Sequence, residues 1–118
     1  MKPKSNFSVE EKKLKAKAIR LYNNYGITLA EWDEMFKKQE GVCWMCKSMP
    51  KNGILCIDHL HQKGFKKMLP EDKKKYVRGL LCFTCNTGFA RIERRKNPRQ
   101  LLERVVEYFK VFPIKGDL

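Results

Sequence analysis

Cys43-Trp44-Met45-Cys46 and Cys82-Phe83-Thr84-Cys85-Asn86 bracket a third stretch, Ile54-Leu55-Cys56-Ile57-Asp58-His59-Leu60-His61, and these three segments decide the fold. Each bracket is a Cys-x-x-Cys knuckle, and two knuckles supply the four thiolates of a tetrahedral zinc site with no open position, hence a structural one. Residues 47 to 81 separate the knuckles, more than the roughly 15–20 of a zinc ribbon. Something is therefore inserted inside the clamp. Ile54-Leu55-Cys56-Ile57 reads as a short buried strand that ends just before Asp58-His59, and Tyr76 to Leu81 reads as a second strand. Together they predict a hairpin with a long polar loop over residues 61–75. A thioredoxin-like redox pair and an iron–sulfur cluster are the competing readings of the cysteines. Cys56, the odd cysteine, is expected to be a small core residue and not a ligand.

Outside the clamp the pattern is helical. Ser8 with Glu11, and Thr28 with Glu31, fit capping boxes that open helices over residues 8–24 and 28–39. Leu14, Ala18, Leu21 and Tyr25 form an apolar stripe on the first, beside a basic stripe of Lys13, Lys17 and Arg20. Leu29, Trp32 and Phe36 supply the buried face of the second, so these aromatics are read as core and not as a base-stacking platform. A helix is expected to begin near Asn86. Asn97-Pro98 opens a last one, with Leu101, Leu102, Val105, Val106 and Phe109 on its apolar face and Pro113 and Gly116 ending it. The expected fold class is α+β, one domain over residues 1–118: N-terminal helices in 1–41, the zinc-clamped core in 42–96, and a C-terminal helix and tail in 97–118.

Charge narrows the partner. Lys and Arg number 26 against 13 Asp and Glu, a net +13 on a chain of 118 residues, which points to a polyanion: nucleic acid first, an anionic membrane surface second. No apolar run reaches the roughly 18 residues of a membrane-spanning helix, and Met1 to Phe7 lacks the apolar stretch of a signal peptide. The expected location is the reducing cytoplasm, where paired cysteines bind metal before they form disulfides.

Both of the chain's 2 histidines lie in Asp58-His59-Leu60-His61. The hairpin and the clamp bring this segment toward Asn86, which follows the last cysteine. A carboxylate and an amide oxygen make a hard-oxygen site suited to Mg²⁺, and an imidazole beside it can take a proton from water near neutral pH. That is the minimum equipment for phosphodiester hydrolysis. An Asp-His pair alone is common and usually structural; its place inside a basic, zinc-clamped hairpin is what raises the catalytic reading.

These residues resemble the bacteriophage recombination endonuclease VII family, within the wider ββα-metal, or His-Me finger, nucleases that include the HNH enzymes. The resemblance runs through Tyr25-Gly26-Ile27-Thr28-Leu29, Gly41-Val42-Cys43, Asp58-His59-Leu60-His61 and Val77-Arg78-Gly79-Leu80-Leu81-Cys82 to Cys85-Asn86, covering roughly residues 17–109. It implies a DNA endonuclease with His59 as general base, Asp58 and Asn86 on a catalytic Mg²⁺ or Mn²⁺, and Cys43, Cys46, Cys82 and Cys85 on zinc. It makes His61 an accessory residue and Arg78 either a phosphate contact or an ion-pair partner. Junction-resolving members carry a glutamate one helical turn beyond the asparagine; here Phe89 stands there. Family resolvases act as dimers on branched DNA such as Holliday junctions, and the helices here are compatible with a homodimer. The expected DNA grips are Lys66, Lys67, Lys73, Lys74 and Lys75 in the loop, and Arg91, Arg94, Arg95 and Arg99 after the site. The alternatives are an HNH-type nicking or homing endonuclease and a zinc-stabilised nucleic-acid-binding module without catalysis.

Overall fold

A computed structural model of the protein describes residues 8–117; the Met1 to Phe7 segment lies outside them. The architecture is α+β: helices α1 (Val9–Tyr25) and α2 (Leu29–Lys38), strand β1 (Cys56–His59), a one-turn helix α3 (Pro70–Lys73), strand β2 (Val77–Leu81), then α4 (Phe83–Glu93) and α5 (Pro98–Val111). The sheet has two antiparallel strands, β1 against β2.

Local chemistry sets the helix ends. Thr28 and Glu31 close the full capping box at the start of α2, whereas at α1 only the half in which Ser8 Oγ accepts from the Glu11 N–H is formed. Gly26 ends α1 at φ 73°, a left-handed conformation that suits glycine. It also lies against α3: a Cβ there would fall 1.8 Å from the Pro70 carbonyl oxygen. A side chain at this position would force the two helices apart.

The core is small. Cys43, Leu55, Leu80 and Leu81 are its buried members, with Trp32, Met35, Phe36, Ile57, Cys82 and Cys85 packed around them. Trp32 and Phe36 stack at 5.2 Å and pack, only partly buried, against this core. Each buried leucine contributes about 2 kcal/mol, too little in sum to make a cross-link through the cysteines superfluous. One side chain stands in for a missing strand. Gln39 accepts from the Leu80 N–H (2.9 Å) and donates to the Leu80 and Val42 carbonyls (2.9 and 3.0 Å), so the outer edge of β2 is satisfied by an amide.

Several local expectations are corrected. β1 sits two residues later than the apolar run suggested, so Asp58 and His59 are strand residues. The loop over residues 61–75 is built from a 3-10 turn at Phe65–Lys67, α3, and a second 3-10 turn at Lys74–Tyr76. α4 begins at Phe83, with Cys82 as its cap. Asn97 stands at the start of α5, but its backbone is left-handed and its side chain caps nothing. Leu14 is 55% exposed, because the first half of α1 runs beyond the body. Among the described residues the apolar face of α5 is only partly covered: Val106 and Phe109 are both more than half exposed. These projecting helices explain a radius of gyration of 18.8 Å and a long axis of 74 Å, against about 13–14 Å expected for a compact chain of this length.

Candidate active site

The cysteine cluster forms from both knuckles. The first turns tightly, with the Lys47 N–H on the Cys43 carbonyl, and is tied to β2 by the Trp44 N–H on the Leu80 carbonyl. The second opens α4, where the Cys85 N–H points at the Cys82 sulfur. All four sulfurs lie within 4.8 Å of one another, and Cys46 and Cys82 are 3.9 Å apart. Sulfurs at about 2.3 Å from a tetrahedral ion would stand about 3.8 Å from each other, so the set fits Zn²⁺. Burial pushes the Cys43 thiol up, but the Cys46, Cys82 and Met45 N–H groups outweigh it and bring it down to about 6. At Cys85 burial and the three neighbouring sulfurs act together and push it up to about 12. Cys56, on β1 opposite Leu81, stands outside the cluster.

The hairpin carries Asp58 on an irregularity in the register. Ile57 pairs with Leu80, and His59 pairs with Val77, so Asp58 faces both Arg78 and Gly79 across the sheet. A bulge of this kind re-aims side chains. Here Asp58 is buried at 7% exposure, while Arg78 reaches over it. Arg78 Nε donates to Asp58 Oδ2 at 2.7 Å and Nη2 to Oδ1 at 3.0 Å. The same guanidinium donates to the His59 carbonyl and, from its other edge, to both oxygens of Glu93 at 2.5 and 3.1 Å. Its face lies over the Phe89 ring at 5.3 Å. These contacts, Glu93 first, hold Arg78 charged above the ordinary arginine value. They hold the Glu93 carboxyl below the usual carboxylate range.

Asp58 separates two cavities. On one side lies a groove of about 900 Å³ lined by Arg78, Phe89 and residues of the α2–knuckle region. On the other lies a cavity of about 400 Å³ lined by Asp58, His59, His61, Asn86, Arg91 and Arg94. Asp58, both histidines and Asn86, expected together from the sequence, all line this one cavity, and both carboxylate oxygens of Asp58 accept from Arg78. Asn86 is placed in the first turn of α4 by the bond of its N–H to the Cys82 carbonyl. Its side-chain amide has no hydrogen-bond partner among the described residues, so its oxygen is available. Asp58 and Asn86 both line this cavity; a carboxylate and an amide oxygen are the hard donors that Mg²⁺ or Mn²⁺ takes, and in Asp58 both oxygens also accept from Arg78.

His59 is held by rings. Phe65 stacks on it at 4.4 Å and 15°, His61 lies at 4.9 Å and Tyr25 at 5.8 Å. Burial first, then the neighbouring His61, lowers its pKa below the ordinary imidazole value. The neutral, proton-accepting form is therefore favoured near neutral pH.

The expected DNA grips divide. Lys66 and Lys67 are exposed and line a cavity of about 1030 Å³ that shares His59 and His61 with the smaller one. Arg91 and Arg94 line the cavity of about 400 Å³, and Arg95 and Arg99 are exposed. Lys73 differs: it is 7% exposed, donates to the Asn23 carbonyl at 2.8 Å and lies over Phe65 at 5.6 Å. It is a buried tie between α1 and the residue stacked on His59, not a surface cation. Lys74 is paired with Glu31 and Lys75 with Asp72. Sequence reasoning missed Glu93, Phe65 and Gln39; nothing in their local pattern marks them.

The model of the recombination endonuclease VII family matches residues 18–111. The chain belongs to this family. Two proteins called Gene 59 protein are similar to this endonuclease VII family chain. That of Mycobacterium phage D29 is 32% identical over 80% of this chain and 50% of its own length. That of Mycobacterium phage L5 is 32% identical over 75% of this chain and 47% of its own length. The chain thus spans about half the length of the curated relatives it matches. No solved structure gives a significant match. Among the described residues, no helix is long and apolar enough to cross a membrane.

Proposed function

We propose that this chain is a divalent-metal-dependent DNA endonuclease whose core, residues 42–96, is a zinc-stabilised ββα-metal hairpin and helix flanked by the N- and C-terminal helices of the same domain. The observation that carries the proposal is the shared cavity, in which Asp58, His59, His61 and Asn86 meet Arg91 and Arg94. His59, kept neutral by burial and held by Phe65, accepts the proton of an attacking water. Asp58 and Asn86 would hold Mg²⁺ or Mn²⁺, which when bound supplies charge neutralisation at the phosphate and at the departing oxygen. Arg91 and Arg94 steer a phosphate into the cavity, and Lys66 and Lys67 receive the flanking backbone. The cysteines hold a structural zinc that keeps Asn86 in register with the hairpin. The exposed apolar residues on the first half of α1 and on α5, Leu14, Val106 and Phe109 among them, are consistent with a homodimer that cuts two strands of branched DNA, a substrate the family suggests. Its place of action on this reading is the host cytoplasm, which similarity to phage proteins supports.

Supercoiled plasmid incubated with and without Mg²⁺, beside His59→Ala and Asn86→Ala, tests the reading. Metal-dependent nicking that both substitutions abolish is expected. If wild type and His59→Ala bind DNA equally and neither cuts with any divalent ion, the chain is a binding module and the enzyme reading is wrong. A panel of four-way junctions, flaps and linear duplexes then separates a resolvase from a nicking or homing enzyme.

A further inference from the structure

Glu93 has no part in the chemistry derived above. It does not line the cavity that holds Asn86. Yet it stands two helical turns beyond Asn86 on α4 and meets one edge of Arg78 with both oxygens, while Asp58 takes the other edge. Every N–H-bearing nitrogen of the guanidinium is engaged within this set.

That arrangement has an electrostatic consequence. A carboxylate that accepts two N–H bonds from an arginine is well oriented, but the pair is neutral and attracts a cation poorly. Asp58, Arg78 and Glu93 together carry a net negative charge. Glu93 therefore lets Arg78 fix the Asp58 carboxylate without cancelling the charge that a divalent cation needs. Burial strengthens the effect, since the Asp58 and Glu93 side chains are only 10% and 23% exposed.

We infer that Glu93 is a positioning residue for the divalent-cation site: through Arg78 it orients Asp58, and it offsets the positive charge that Arg78 brings to that carboxylate. The inference rests on the metal-site reading proposed above. Outer partners of metal ligands are worth about 10–100-fold in metal affinity, and a loss of about tenfold is expected in Glu93→Gln.

The test titrates Mn²⁺ against the zinc-loaded protein, following bound Mn²⁺ by electron paramagnetic resonance, and separately measures plasmid nicking against Mg²⁺ concentration. In Glu93→Gln the Mn²⁺ dissociation constant and the half-saturating Mg²⁺ concentration rise about tenfold together, while the rate at saturating metal stays near wild type and zinc content is unchanged. Glu93→Asp, which keeps the charge, recovers most of the affinity. A purely structural role would lower the maximal rate or the zinc content without moving the half-saturation point. Wild type that cuts with Mg²⁺ while Glu93→Gln keeps its metal affinity overturns this inference alone. Wild type that neither binds Mn²⁺ nor cuts overturns the nuclease reading, and the inference with it.

Discussion

Lys73→Met separates a buried tie from a DNA grip. In a basic loop Lys73 is indistinguishable from Lys66 and Lys67, but its ammonium donates to the Asn23 carbonyl at 2.8 Å and lies 5.6 Å from the Phe65 ring centroid. The bond from a charged donor is worth about 1.5–3 kcal/mol. The carbonyl belongs to the last turn of α1, where a cation gains a further ~0.3–1 kcal/mol. Methionine keeps most of the apolar stem, so the expected loss is about 2 kcal/mol. At roughly 4 °C per kcal/mol for a domain of this size, that is a fall of about 8 °C in melting temperature. DNA binding should respond the other way. Each phosphate contact removed reduces the slope of log K against log salt by about 0.9. Lys66→Met and Lys67→Met should each show a reduction of up to that size with little change in melting, whereas Lys73→Met should leave the slope intact. The assays are thermal melts followed by circular dichroism, and anisotropy of a labelled duplex across a salt series. A Lys73→Met protein that melts like wild type and loses slope as Lys66→Met does would refute the reasoning.

Cleavage should rise with pH through the His59 pKa and then level, because the neutral imidazole is the active form. Since burial and His61 lower that pKa, the inflection should lie below the ordinary value of about 6.5, and His61→Ala should move it upward; an inflection at 7 or above in pH–rate profiles would contradict this. Gln39→Met removes the amide that satisfies both backbone groups of Leu80, leaving a buried N–H unpaired at a cost of about 1–3 kcal/mol; chemical denaturation showing no loss would mean that the edge of β2 is satisfied otherwise. Stripping zinc with a strong chelator should abolish folded structure and cutting together, since a structural site contributes on the order of 10 kcal/mol, as much as a whole small domain. Far-ultraviolet circular dichroism unchanged after complete zinc removal, measured by atomic absorption, would show that the cysteines are not the staple.

Much of the candidate site was legible along the chain because its signals are local or strictly spaced. A knuckle is two cysteines three apart, and Asp58-His59 is a dipeptide. The Thr28–Glu31 box and the Gly26 stop are set by backbone groups a few residues away. The end of β1 was harder to read, because Ile54 is apolar but 61% exposed, and the pairing with β2 begins only at Cys56. The apolar stripe of α5 correctly announced a helix. Periodicity carries no information about what covers a face, and among the described residues much of this one is exposed.

What the sequence determined by itself is the inventory: a cysteine clamp, an inserted hairpin, an Asp-His-Asn set and a strongly basic surface. Tertiary structure alone decided which charges are spoken for. Arg78 and Asp58 are 20 residues apart, Arg78 and Glu93 are 15 apart, and Lys73 reaches Asn23 across 50. A lysine or arginine looks the same in sequence whether it meets solvent, a helix end or a carboxylate. Only the packing of α1, α3, α4 and the hairpin removes water from those groups, and desolvation turns an interchangeable surface charge into a fixed partner.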